Sequence, residues 1–239
     1  SAGLFGGKAP AFAASRQIHL VAYASPAKAV DELRVKNARD FEKESGVKVK
    51  LEIVGGNDIG ARATSVIQSG AGADMIMNLW NNPHLWAKGL TNHDDLVEEM
   101  GGDDIYDFCR GSCLVNGEYK ALPVFWVPVA HTYRTDVFKE LGFNSFPDDM
   151  DGYLAVGKKL KEYGLPIGCT LGHTYGDAPS NSYPLLWCFG GQEVDENQRV
   201  SIDSKETRVS MEYFKELWNE ACDPGGLAYD DGTNNRAFI

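Results

Sequence analysis

FEKESGVKVKLEIVGGNDIGARATSVIQSGAGADMIMNL, residues 41–79, changes its hydrophobic period three times. Residues 47–54, VKVKLEIV, alternate apolar and charged side chains, the pattern of a half-buried strand. Gly55-Gly56-Asn57-Asp58 forms a turn able to cap a helix. The helix follows over Ile59 to Gln68, with Ala61, Ala63, Val66 and Ile67 along it. Ser69-Gly70-Ala71-Gly72 breaks it, and Ala73 to Leu79 reads as a further strand. Working backward, Asp31 to Glu44 carries Leu33, Ala38 and Phe41 among many charges, a surface helix with one face buried. Ile18 to Tyr23, IHLVAY, is the first strand. Strand, helix, strand, helix, strand predicts a parallel α/β sheet. Ligands of such sheets bind at the carboxyl ends of strands. Those ends are Tyr23-Ala24-Ser25, Gly55-Gly56-Asn57 and Trp80-Asn81-Asn82.

Working forward, His84 to Lys88 and Asp94 to Glu99 read as short helices. Asn116-Gly117, set between apolar residues, is the strongest hairpin signal of the chain. ALPVFWVPVAHTYRTDVFKELGF, residues 121–143, then reads as a buried strand feeding a helix from Thr135 to Leu141. Pro123 and Pro128 would each remove a ladder donor, which suits a segment crossing from one lobe to another. Phe125 and Trp126 lie at that crossing. Asp151 to Tyr163 is a helix, Ile167 to Leu171 a strand, and Gly172 to Tyr183 a polar loop. Val200 to Ile202 is a short strand. Thr207 to Glu220 is a helix with Val209, Met211, Phe214, Leu217 and Trp218 on its apolar side.

Composition narrows the class. The 239 residues suffice for one large or two medium domains, and 43% hydrophobic with 24% charged residues is an ordinary globular balance. No apolar run reaches the roughly 20 residues that span a bilayer. A net charge of −11 without a basic stripe argues against nucleic acid as a partner. Ala11-Phe12-Ala13 has the small-x-small form of a signal-peptidase site, the tail of an export signal. Five cysteines leave one odd. Cys109-x3-Cys113 is not the spacing of a zinc knuckle or a thioredoxin motif. Buried free thiols are the default, and one or two disulfides of open pairing fit an exported chain.

The ordered set of Ile18–Tyr23, FEKESGVKVKLE at Phe41–Glu52 and SGAGADMIM at Ser69–Met77 continues with GEYKALP at Gly117–Pro123 and YRTDVFKELGF at Tyr133–Phe143. It closes with FGGQEVD at Phe189–Asp195, IDSKETRVSMEYFKEL at Ile202–Leu217 and NNRAFI at Asn234–Ile239. This set resembles the extracellular solute-binding proteins of ABC importers, the large sugar-binding, maltose-binding-protein-like family. Arg134 stands where the family has Asn, and Pro147-Asp148-Asp149-Met150 where it has Pro-x-Thr-Trp. Family members continue well past the position of Ile239, so by this resemblance the chain reads as truncated inside its second lobe.

The resemblance implies a two-lobed periplasmic binding protein fold of the α/β class with a cleft between lobes. Residues 1–17 would be a leader, 18–122 the N-terminal lobe, and 123–239 the crossing segment with part of the C-terminal lobe. It implies a monomer in the periplasm that clamps a small-molecule ligand and hands it to ABC permease subunits, with no cofactor. A pyranose has apolar C–H faces, which rings cover, and a hydroxyl rim, which planar amides and carboxylates bond. Strand ends and family position together select Tyr23, Asn57, Asn78, Trp80, Asn81, Asn82, Phe125 and Trp126 in the first lobe and crossing. Tyr175, Asp177, Asn181 and Tyr183 are selected in the second. Trp187, in an apolar run, is expected in the core. A polyamine or other cationic solute is the alternative ligand, held by rings and carboxylates. No nucleophile elbow, His-Glu-x-x-His, phosphate loop or dinucleotide fingerprint marks an enzyme.

Overall fold

A computed structural model describes residues 17–125, 129–174 and 176–239. The chain divides between Trp126 and Val127 into two compact units. Trp126 and Tyr175 lie outside the described residues.

The first unit is built on a three-stranded parallel sheet in the order β2-β1-β3. Its strands are β1 (Gln17–Tyr23), β2 (Lys48–Val54) and β3 (Met75–Ile76). Val21 and Ala22 of β1 are only 2% and 1% exposed, as a strand paired on both edges and covered on both faces must be. α1 (Lys28–Ser45) connects β1 to β2 and ends at Gly46, whose φ of 72° only glycine adopts without cost; its N–H closes on the Glu42 carbonyl. α2 (Ile59–Ser69) buries Ile59 and Ala63. The expected third strand, Ala73 to Leu79, is cut to two residues. Just before it, the Asp74 N–H donates to the His19 carbonyl at 2.9 Å and the His19 N–H to the Asp74 carboxylate at 2.8 Å.

Three short helices follow, α3 (Asn82–Trp86), α4 (Asp94–Glu99) and α5 (Asp107–Cys113). The Asn-Gly signal is a hairpin of β4 (Leu114–Val115) and β5 (Glu118–Tyr119), with Asn116 and Gly117 at φ 53° and 85°. The segment expected as a buried crossing strand is neither buried nor a strand in its described parts. Val124 is 74% exposed, Val129 is also exposed, and 121–125 and 129–134 make no ladder. Pro123 removes a donor within the first of these stretches.

The second unit is helical. It contains α6 (Thr135–Glu140), α7 (Met150–Glu162), α8 (Asp177–Cys188), α9 (Lys205–Glu220) and α10 (Thr233–Phe238). Asp149 caps α7 through the Gly152 N–H at 2.7 Å, and Ser204 caps α9 through the Thr207 N–H at 3.0 Å. Tyr153, Cys169, Leu185, Leu217, Ala221 and Cys222 form the core. Ile167 makes only an isolated parallel bridge to Cys222, so the expected strand 167–171 is a bridge, as is Val200, which faces Val194. Cys169 and Cys222 are joined in a disulfide, while Cys188 is free and exposed rather than buried.

Residues 177–183, expected as loop, are the first half of α8. Its Ser180, Asn181 and Ser182 side chains each donate to the carbonyl four residues back, at 2.9, 2.8 and 2.9 Å. These bonds replace the outward hydration that a polar loop would need. On α9 the buried side carries Ser210 and Leu217, whereas Val209 and Met211 are exposed, one helical step from their expected face.

Candidate functional site

In the first unit three strand ends lie side by side. Tyr23 is in register with Val54, and the Met77 N–H donates to the Val21 carbonyl at 2.8 Å. Parallel pairing thus brings the exits at 24, 55 and 78 to one edge of the sheet. Tyr23 is half-buried under Arg34, whose guanidinium carbon stands 5.0 Å from the ring centroid. Arg34 Nη1 also donates to the Tyr23 carbonyl at 2.6 Å, and to Asp31 Oδ1 at the same distance. Asp31 in turn accepts the Ser25 N–H. This Asp31–Arg34 brace is absent from the sequence reading; its signal is an opposite-charge pair three residues apart on a helix.

Asn57 is exposed on the single helical turn 56–58. The loop after β3 is more telling. The Oδ1 of Asn78 is buried with no hydrogen-bond partner among the described residues. An amide acceptor so placed costs about 1–3 kcal/mol relative to a paired one. Trp80 has φ 54° and is 45% exposed. A bulky aromatic in the left-handed region is an outlier that its surroundings must impose. Asn81 is exposed, and its carbonyl accepts the His84 N–H at 2.9 Å. Asn82 is buried, with its N–H on the Leu79 carbonyl at 3.1 Å. No titratable side chain occurs between Met77 and Pro83. Phe125 is 55% exposed.

In the second unit Asp177 opens α8. Its backbone N–H donates to Asp231 Oδ1 at 2.8 Å. A Cβ at Gly176 would stand 3.1 Å from the Asp231 carboxylate, so a larger residue there would push that side chain aside. Burial, then the charge of Asp231, pushes the Asp177 carboxyl above the usual carboxylate range, against a hydrogen bond from Asn234 that lowers it. The Nδ2 of Asn181 is engaged by the Asp177 carbonyl. Tyr183 stacks on Trp187 with centroids 5.7 Å apart and planes 8° from parallel. Trp187, expected in the core, is 55% exposed, and its Nε1 donates to Glu193 at 3.0 Å. The four-residue spacing on a helix is what aligns the two rings. Thr174 Oγ1 is another buried atom without a partner among the described residues.

The loop after β3 thus carries one ring and three amides, one of which holds the unsatisfied acceptor, and none of these is charged. The second unit offers a ring pair and, apart from it, a pair of carboxylates. Among the described residues no group of three or more His, Cys, Asp or Glu is placed to hold a metal, and no helix is long and apolar enough to cross a membrane.

The model of the bacterial extracellular solute-binding protein family matches residues 21–239. No curated relative matches the chain. Among solved structures, maltose-bound MalE3 of T. maritima aligns with a TM-score of 0.76 at 20% identity, over 93% of this chain and 58% of its own. The ABC transporter solute-binding protein of Agrobacterium radiobacter K84, in complex with ribitol, gives 0.73 at 21% identity, over 93% and 57%. The sugar transporter protein of Arthrobacter chlorophenolicus A6, with bound laminaribiose, gives 0.73 at 19% identity, over 93% and 58%. The chain spans a little over half the length of these proteins, and at such identities the likeness is one of fold. That fold is α/β, of the periplasmic binding protein class. With the family model running from the end of β1 to the last residue, the chain belongs to the bacterial extracellular solute-binding proteins.

Proposed function

We propose that this chain carries the ligand-capturing part of an ABC importer's solute receptor, that it binds a sugar or oligosaccharide in an interlobe cleft, and that it delivers it to permease subunits. The observation that carries the reading is Asn78, with a buried Oδ1 and no donor, in an uncharged loop beside a projecting Trp80. A hydroxyl is the donor such an acceptor lacks, and the ring suits an apolar sugar face. Maltose, ribitol and laminaribiose in the fold relatives belong to the same polyhydroxylated class. A site built around a missing hydroxyl rejects analogues without one, because its acceptor stays unpaired. Tyr183 and Trp187 supply a second stacking surface. Export to the periplasm, action as a monomer and the absence of catalysis belong to the same proposal.

A cationic solute is the second reading, favoured by one observation, the neighbouring carboxylates of Asp177 and Asp231. A thermal-shift screen of the full-length protein against saccharides, polyols and polyamines separates the two. A ligand at a hundredfold excess over Kd adds about 2.7 kcal/mol, a shift of several degrees for a protein of this size. Shifts with sugars that disappear in Trp80→Ala support the proposal. Shifts with polyamines alone replace it by the cationic reading, and a cooperative melt that no compound moves sinks both.

A further inference from the structure

Cys109 and Cys113 take no part in the candidate site. They stand four residues apart on α5, so they share one helix face. Both are free thiols; Cys113 is buried, in a helix packed on α3 and β4, and Cys109 is half-exposed at the surface. Cysteines in an oxidised chain ordinarily pair, as Cys169 and Cys222 do. Helix geometry explains why these two do not. It holds i and i+4 Cβ atoms about 5–6 Å apart, whereas a disulfide needs roughly 3.5–4.5 Å. Two metal–sulfur bonds of about 2.3 Å each span roughly 4.6 Å between sulfurs, which that separation accommodates without unwinding the helix.

We propose that Cys109 and Cys113 form a two-thiol site for one soft, two-coordinate metal ion of the copper(I) class. Thiolate sulfur selects soft ions over the harder divalent ones, and two thiols with no third His, Cys, Asp or Glu grouped with them among the described residues suit an ion that accepts linear coordination. Starting from the two thiols, binding exchanges two S–H bonds for two metal–sulfur bonds. It releases two protons and leaves a bis-thiolate complex of charge −1 from a +1 ion. The half-exposed Cys109 is the point of entry, and the buried Cys113 completes the coordination away from water.

The test is an anaerobic titration of the full chain with copper(I) against a chromophoric chelator, using ascorbate, which leaves the Cys169–Cys222 disulfide intact. The expected result is one tightly held ion per chain, unchanged in Cys188→Ser and weakened at least tenfold in Cys109→Ser. Cys109 is only half-buried, so its variant is the primary one; thermal melting of the ion-free variant checks that it folds. As a second readout, bound copper(I) should slow the reaction of Cys109 with a thiol reagent and leave that of Cys188 unaltered. Equal affinity in Cys109→Ser and the wild type, or binding that disappears only with Cys188→Ser, overturns the proposal.

Discussion

The backbone N–H of Asp177 donates to the Asp231 carboxylate at 2.8 Å, so one acidic residue anchors the helix that another begins. The contact orients α8 and also sets two carboxylates beside each other. Asp177 is half-buried, and its carboxyl lies above the ordinary value of 3.8 because of that burial and of Asp231. An acid whose folded value is raised holds its proton more tightly folded than unfolded. The pair therefore costs no stability below about pH 3.8 and costs progressively more as pH rises through the folded value. Asp177→Asn should raise Tm at pH 7 by roughly 1–3 °C, on the scale of 2–4 °C per kcal/mol for this size. The gain should vanish at pH 3. A variant that melts lower than the wild type at pH 7 would show that the charge on Asp177 is used rather than merely tolerated.

The disulfide between Cys169 and Cys222 closes a separation of 53 residues. Loop-closure entropy for that span corresponds to about 4 kcal/mol. Urea unfolding of Cys169→Ala/Cys222→Ala should give an unfolding free energy lower by about 2–5 kcal/mol, with a reduced midpoint. Identical midpoints with and without the bond would argue that the Ile167–Cys222 bridge holds this region unaided.

Trp80 sits at φ 54°, a conformation that disfavours every residue with a Cβ. Two truncations therefore differ in a way that ring loss alone does not predict. Trp80→Gly and Trp80→Ala both remove the ring and should both lose ligand affinity. Glycine relieves the backbone and alanine does not, so Trp80→Gly should unfold about 1 kcal/mol harder than Trp80→Ala. Calorimetry of the two variants decides it, and the opposite order would mean that the loop is not held left-handed in solution.

Two glycines should respond to alanine with opposite signs. At Gly157 on α7 a Cβ would lie 2.6 Å from Ala221 Cβ and 2.7 Å from Ile167 Cδ1. Overpacking of this kind costs about 1–3 kcal/mol. At Gly60, near the start of α2, a Cβ meets nothing within 4 Å. There alanine should stabilise by about 0.5 kcal/mol through helix propensity alone. Chemical denaturation of both variants tests the close approach of α7 to residues 167 and 221. Stabilisation by Gly157→Ala would disprove it.

What could be read in the sequence was what its neighbours determine. The alternation of 47–54, the Asn116-Gly117 turn and the break at Ser69-Gly70 are all local, and each is present. The elements that differ depend on partners far along the chain. Residues 167–171 carry strand-like side chains, but the structure gives them a bridge to Cys222 rather than a ladder. Residues 177–183 read as a polar loop, yet the side chains of Ser180, Asn181 and Ser182 turn back on carbonyls of their own helix, and α8 runs from Asp177 through Pro184 to Cys188. Of the selected site residues, Tyr23, Asn78, Trp80, Asn81 and Asn82 fall at adjacent strand exits, because parallel topology alone places them there. That the Asn78 Oδ1 is buried and without a partner among the described residues, that Trp80 is left-handed, and that Tyr23 lies under Arg34 depend on packing that no local pattern encodes. The pairing of Cys169 with Cys222 was open for the same reason.

The strand order β2-β1-β3 also governs the timing of assembly. β1 is made first and lies in the middle, so neither of its edges can be closed by the chain that immediately follows. Leu20 waits for Leu51 on one side and for Met75 on the other. At a synthesis rate of about 5–20 residues per second, the second partner arrives roughly 3–11 s after the first strand has been made. Non-local pairings of this kind are slow to form even in a finished chain. Until β2 is made IHLVAY is an apolar ribbon with two open edges, and until β3 is made it keeps one, able to pair with another strand. α1, the first element to follow it, is charged and buries no residue fully, so it leaves the ribbon's second edge to be closed by β3.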